Sequence, residues 1–242
     1  MLNIIAIPIS SKFPLKLVGS SPEISPDLEK EIEYLWKTEQ ERRGKTLVNG
    51  SIMSASMASK EGIFGFISEY RHFIAQQARP ELFDILNVRP VAVSGLLICA
   101  DGIVFGRRAG LMTQDSGLWE LVPSGGVDTG NITGTKEIKC GPQILLELRE
   151  EVGIKSELVE KVMPFCFVED EKSHVIDIGV SLETQLSQDE ILKVYELSAK
   201  KEYDELRIVR LSDINTFVAR EADRIVRVSI KLIQFYQGIE NN

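Results

Sequence analysis

The segment Leu145-Leu146-Glu147-Leu148-Arg149-Glu150-Glu151-Val152-Gly153-Ile154 constrains this chain more than any other. Gly141-Pro142 opens a helix there, because proline is tolerated in a first helical turn. Gly153 closes it, because glycine takes the left-handed conformation that ends many helices. At about 100° per residue, Glu147, Glu150 and Glu151 fall within an arc of about 100°, while Leu145, Leu148 and Val152 fall on a separate arc that can face a core. Three carboxylates crowded on one face repel one another and resist ionisation. A divalent cation reverses that sign: Mg²⁺ takes hard oxygen ligands and is usually held by a few carboxylates, waters and substrate phosphates. A solvated acidic face is the alternative reading of the same residues.

Length and composition bound what surrounds this helix. The chain has 242 residues, 43% hydrophobic and 26% charged, which suits one to two globular domains and argues against disorder. The longest apolar run, Val91–Ala100, is interrupted by Ser94 and Gly95 and falls short of the roughly 20 residues that span a bilayer. Leu2–Ile9 is short, meets Pro8 early and lacks a basic leader, so it reads as a buried strand and not a signal peptide. With 28 basic and 36 acidic residues and a net charge of −8, the chain lacks the concentrated positive surface that a nucleic-acid backbone requires. Neither nucleic acid nor membrane is expected as a partner. Cys99, Cys140 and Cys166 are odd in number and lack metal-binding spacing, so they read as free thiols used for packing, in a cytoplasmic protein.

The pattern divides the chain at Arg89–Pro90, because the residue before a proline is pushed out of helical space. Residues 1–89 form an N-terminal α+β domain and residues 90–242 a second one. In the first, Asn3–Ile9 and Leu15–Val18 are strands. Ser25-Pro26 starts a helix that runs to about Arg43, with Leu28, Ile32, Leu35 and Trp36 on one stripe. Asn49-Gly50 predicts a hairpin turn, Gly62–Phe66 a strand and Ile67–Gln77 a helix, with a short helix opened by Pro80. In the second, Val91–Cys99 and Ile103–Arg107 form a hairpin about Ala100-Asp101-Gly102. Leu118–Val122 is a strand, and Ser124–Lys139 is a loop. Val162–Val168 and His174–Leu182 are strands, Ser187–Lys200 a helix, Arg207–Leu211 a strand and Arg220–Tyr236 a final helix. Strands and helices mix without regular alternation, which favours a mixed sheet flanked by helices.

Trp119-Glu120-Leu121-Val122-Pro123-Ser124-Gly125-Gly126 precedes the acidic helix, and together the two segments resemble the signature of the Nudix hydrolases. The match covers Gly126, Glu147, Leu148, Glu150, Glu151, Gly153 and Ile154. It departs at Leu146, where the family has arginine, and at Ser124, which interrupts Pro-Gly-Gly. The stretch from Gly126 to Glu147 spans 147 − 126 = 21 steps, longer than the family's, and its first glutamate falls at Ile138, beside Glu137. In the family that glutamate and the arginine form a bracing ion pair. Losing both leaves no unpaired charge, so the departures read as a rebuilt loop.

The resemblance implies an α/β/α sandwich with a mixed sheet, preceded here by the small N-terminal domain. It also implies hydrolysis of a nucleoside diphosphate linked to another group. Glu147, Glu150 and Glu151 would be the catalytic, metal-holding acids, with Mg²⁺ as cofactor and Mn²⁺ as a substitute. Arg107, Arg108, Gly125 and Gly126 would bind substrate, the arginines through phosphate; a surface arginine pair is the alternative. Asp204 or Glu205 would complete the metal site or else sit on an exposed acidic turn. Glu169, Asp170 and His174 lie between two strands that would flank the cleft, and His72 reads as a packed helix histidine. The N-terminal unit is where such enzymes build a substrate pocket or a homodimer contact. Its order, from the Trp36 helix through Leu47-Val48-Asn49-Gly50 and Tyr70 to Arg89-Pro90-Val91-Ala92-Val93, is similar to that of the branch that cleaves UDP-sugars to UMP and sugar 1-phosphate. The rival expectation is a Nudix-fold nucleotide sensor without catalysis.

Overall fold

The computed structural model describes residues 4–43, 47–110, 115–127, 136–198 and 202–240. Twelve strands are found among them: β1 Ile4–Pro8, β2 Leu15–Leu17, β3 Ser51–Ser59, β4 Gly62–Glu69, β5 Val91–Cys99, β6 Gly102–Arg108, β7 Trp119–Leu121, β8 Ser124–Gly126, β9 Glu137–Ile138, β10 Lys161–Asp170, β11 Ile176–Glu183 and β12 Tyr203–Val209. Seven α-helices accompany them: α1 Pro26–Arg42, α2 Tyr70–Ala78, α3 Phe83–Leu86, α4 Cys140–Glu147, α5 Gln188–Leu197, α6 Ile214–Arg220 and α7 Arg227–Glu240. The class is mixed α+β, as expected.

The larger sheet runs β1-β10-β11-β5-β6-β12, with β7 beside β6 and β8 beside β5. Its centre is the parallel pair β5–β11, in register from Val91↔Ile176 to Ile98↔Glu183. Alternation along β11 decides which face packs where. Ile176, Ile178, Val180 and Leu182 enter one core with Ile144, Leu148 and Val152 of the acidic segment and Ile191 of α5. The opposite face of the sheet meets α6 and α7 through Phe217, Leu232 and Ile233, which pack with Leu96, Phe105 and Trp119. Helices thus cover both faces, as parallel strands in a sheet require.

The smaller sheet runs β3-β4-β2-β9. Beside it, α1 lays Ile32 and Trp36 against Phe73 and Ile74 of α2. α1 starts as expected, with Ser25 accepting from the Leu28 amide and Pro26 in the first turn. The two sheets do not respect the expected boundary at residue 89. β1 leaves the N-terminal unit to pair with β10, and β9 leaves the second unit to pair with β2.

Several expectations are corrected locally. β3 was not foreseen, and Asn49-Gly50 makes no hairpin; instead Asn49 bonds the Glu69 carboxylate and the Arg71 amide, tying the start of β3 to the β4–α2 junction. β4 runs through Glu69, delaying α2 to Tyr70. Ser124–Gly126 and Glu137–Ile138 of the expected loop are strands, and residues 128–135 of that loop lie outside the described residues. The last expected helix, Arg220–Tyr236, starts only at Arg227 as α7, and the separate helix α6, Ile214–Arg220, was not foreseen.

Candidate functional site

A cleft of about 850 Å³ opens at one end of the larger sheet. It exists because that end of the sheet carries small side chains. Ala92 and Ser94 of β5, and Ser124, Gly125 and Gly126 of β8, line it in place of the bulky residues that meet α7 elsewhere. Asp177 of β11 lies at the same end, buried, and accepts from Ser94 Oγ at 3.0 Å. Arg108, Asp115 and Glu120 form another wall, the Val226–Ser229 turn a third, and Arg43, Tyr70 and Gln77 bring the N-terminal unit to the rim.

The acidic helix reaches this cleft through β8. After Glu147 the α-helix widens into a π-turn over Leu148–Val152, and Gly153 ends it at φ 87°. The wider turn breaks the uniform 100° step, so the three acids do not share one environment. Glu147 is half-buried and lies against Gly125, where an added Cβ would come within 2.4 Å of its carboxyl carbon. Gln143 Nε2 donates to Glu147 Oε1 at 2.7 Å. Glu150 is exposed. Glu151 is 1% exposed; the Ser124 amide donates to it at 3.2 Å and the Tyr203 hydroxyl at 2.6 Å. Burial raises the Glu151 pKa well above the usual carboxylate range, against the lowering effect of Tyr203. Among the described residues no group of three or more His, Cys, Asp or Glu is gathered so as to hold a metal ion. The donor chemistry still suits a hard cation: the acids offer only oxygen, and Glu151 is a desolvated carboxyl that a positive charge would hold ionised.

Tyr203 joins Glu151 to a second buried acid. Arg108 Nη1 grips both oxygens of Glu120, at 2.5 and 2.6 Å, and Tyr203 lies beside this pair. Burial pushes Glu120 up to about 7 although Arg108 and Tyr203 both work to lower it. For Arg108, burial works downward, but the neighbouring Glu120 carboxylate outweighs it and the net shift is upward. Gly106 leaves the space: an added Cβ there would lie 2.4 Å from the Tyr203 ring. A β-bulge between Tyr203 and Glu205 sets the local register, a device that re-aims side chains beside functional sites.

The sequence-predicted residues therefore part company. Arg108, Gly125 and Gly126 line the cleft. Arg107 instead pairs with Glu205 at 3.6 Å and lies over the Trp119 ring. Asp204 and Glu205 lie on β12 and not on a turn; Asp204 is exposed, Glu205 also pairs with Arg207, and it is Tyr203 at the start of the strand that reaches Glu151. Asp170 lines the cleft. Glu169 pairs with Arg89 at 2.7 Å, and His174 stacks on Phe83 at 3.7 Å; both tie the β10–β11 turn to the N-terminal unit. His72 is a buried helix residue beside Ser68, and the three cysteines are free and buried. Glu120, Tyr203 and Asp177 were missed. A glutamate between Trp119 and Leu121 in a buried strand was the available signal for the first.

No protein-family model matches this chain, and no curated protein matches it. Its fold is similar to those of solved structures. A Nudix hydrolase from Nitrosomonas europaea is 13% identical, with 62% of this chain and 88% of that one covered at a TM-score of 0.38. The DR0079 protein of Deinococcus radiodurans is 11% identical, with 61% and 83% covered at 0.44. A bifunctional NMN adenylyltransferase/ADP-ribose pyrophosphatase from Francisella tularensis, complexed with AMP and a Mn ion, is 14% identical, with 86% and 47% covered at 0.41.

Proposed function

We propose that this protein is a Nudix-type hydrolase that cleaves the diphosphate linkage of a nucleoside diphosphate joined to another group, in first place an NDP-sugar, giving NMP and sugar 1-phosphate. The observation that carries the reading is the contact of Glu147 with Gly125 and of Glu151 with the Ser124 amide, both on β8, a strand that lines the cleft together with Arg108. A cleft of about 850 Å³ lies within the usual range of small-ligand sites. Arg43, Tyr70 and Gln77 at its rim support a role for the N-terminal unit in substrate choice. Three free buried thiols support a cytoplasmic protein, and the net charge of −8 favours a small nucleotide over a polymer.

Glu147, Glu150 and Glu151 are the residues that would hold Mg²⁺, or Mn²⁺ in its place. Such a cation neutralises a diphosphate and lowers the pKa of bound water. The chain's own contribution is positioning. Gln143 orients Glu147, Tyr203 and the Ser124 amide orient Glu151, and Glu120 fixes the Arg108 guanidinium at the wall. Gly125 lets the helix approach β8.

Turnover of a panel of NDP-sugars, ADP-ribose, dinucleotides and coenzyme A with Mg²⁺ or Mn²⁺, with Glu151→Gln as control, tests this. We expect release of a nucleoside monophosphate and its loss in the variant. A full rate in Glu151→Gln removes Glu151 from the site. The dispersed acids and exposed Glu150 favour a second reading, a nucleotide sensor without catalysis. Binding across the panel without turnover selects it.

A further inference from the structure

One carboxyl in the cleft lies outside the acidic helix and reaches its network only through Ser94 and Ser124. Asp177 sits between Ile176 and Ile178 on the central parallel pair, opposite Ala92. Its two neighbours enter the core, so strand alternation sends Asp177 to the cleft face. It is 8% exposed, and Ser94 Oγ is its hydrogen-bond partner. Ser94 Oγ in turn lies 3.2 Å from Ser124 Oγ. No cation pairs with Asp177 among the described contacts. Burial pushes it up to about 6, so the fold places it here at a loss. Packing does not explain that loss: the surrounding floor is built of small residues that leave space.

A carboxyl in this setting is selective. Ionised, it only accepts hydrogen bonds, and it repels a phosphate brought alongside. The acids Asp115 and Asp170 on the same cleft raise that repulsion. The chemistry it takes is a neutral O–H or N–H donor. We propose that Asp177, backed by Ser94, is the specificity-determining residue of the cleft: it accepts from a sugar hydroxyl or a base N–H of the nucleotide and keeps the phosphates off the floor. This rests on the reading of the cleft as a nucleotide site and adds which part of the ligand meets β5 and β11.

Calorimetric titration of the full chain, with and without Mn²⁺, distinguishes the sources of the donor. The probes are UMP, CMP, AMP, GMP, ribose 5-phosphate, glucose 1-phosphate and inorganic pyrophosphate. The proteins are wild type, Asp177→Asn and Ser94→Ala. Asp177→Asn keeps the shape and replaces one of the two acceptor oxygens by a donor. It should weaken at least one organic probe about tenfold or more and leave pyrophosphate within about twofold. Ser94→Ala should weaken the same probe by less. A loss confined to particular bases assigns the base. An equal loss across the four monophosphates and ribose 5-phosphate assigns the ribose, and a loss for glucose 1-phosphate alone assigns the leaving sugar. The proposal is overturned if every organic probe binds both variants as it binds wild type, or if pyrophosphate weakens as much as the rest. Wild type that binds nucleotides but hydrolyses none sinks the hydrolase reading and leaves this one. Wild type that binds no probe sinks both.

Discussion

Replacing Asp177 by Asn should make the protein more stable, and by an amount that depends on pH in a defined way. The folded chain holds this carboxyl at about 6 against an ordinary 3.8, because burial outweighs the Ser94 hydrogen bond. Asp170 and Asp115 push in the same direction, and Arg108 opposes them. Below the ordinary value both folded and unfolded chains carry the proton, and Asp177 costs nothing as a charge. Between the two values the unfolded chain releases its proton first, so stability falls as pH rises. Above about 6 both states are ionised and the full penalty stands. A shift of about two units is worth about 3 kcal/mol at 1.36 kcal/mol each. Asn cannot ionise and keeps an oxygen for Ser94. Urea unfolding of both proteins in steps from pH 4 to pH 8 therefore gives a difference that widens with pH and levels off above neutrality, with a rise of about 3 kcal/mol. A difference that stays flat across this range refutes the reasoning, whatever its absolute size.

Three further outcomes each follow from a single contact. Gly125→Ala displaces the flexible end of Glu147; unfolding free energy should change by about 1 kcal/mol or less, while turnover in the nucleotide panel falls at least tenfold, and an unchanged rate counts against Glu147. Tyr203→Phe removes a donor from buried Glu151 and should lose about 1–3 kcal/mol in urea unfolding at neutral pH; no loss means that the buried hydrogen bond is not made. Ser187→Ala breaks the capping box with Glu190 at the start of α5 and should lose about 1 kcal/mol by the same assay.

Local chemistry made much of this fold readable. Ser25-Pro26 and its apolar stripe gave α1, and Ala100-Asp101-Gly102 gave the β5–β6 hairpin, because each signal lies within a few residues of what it specifies. β3 was unreadable for the opposite reason. Ser51–Ser59 is rich in serine, alanine and methionine, and it becomes a strand by pairing with β4, so its neighbour supplies the order that its own residues do not. The site divides in the same way. Glu147 and Glu151 were singled out by their spacing, but the spacing assumed an even helix, and the π-turn at Leu148–Val152 changes the step. Tyr203 touches Glu151 from 52 residues away, a contact that periodicity cannot carry.

The exchange of strands between the two sheets has a consequence for how this chain comes off the ribosome. β1 pairs with β10, Ile4 opposite Asp170, a separation of 170 − 4 = 166 residues, so it is made well before its partner. β2 waits for β9, Leu15 opposite Ile138, a separation of 138 − 15 = 123. At about 5–20 residues per second, β1 stands without its partner for roughly ten to thirty seconds of synthesis. During that interval an apolar strand has open edges, the kind of surface on which nascent chains pair wrongly. The smaller sheet is complete only once β9 has been made and the larger only once β12 has, so neither can close from one contiguous stretch of sequence.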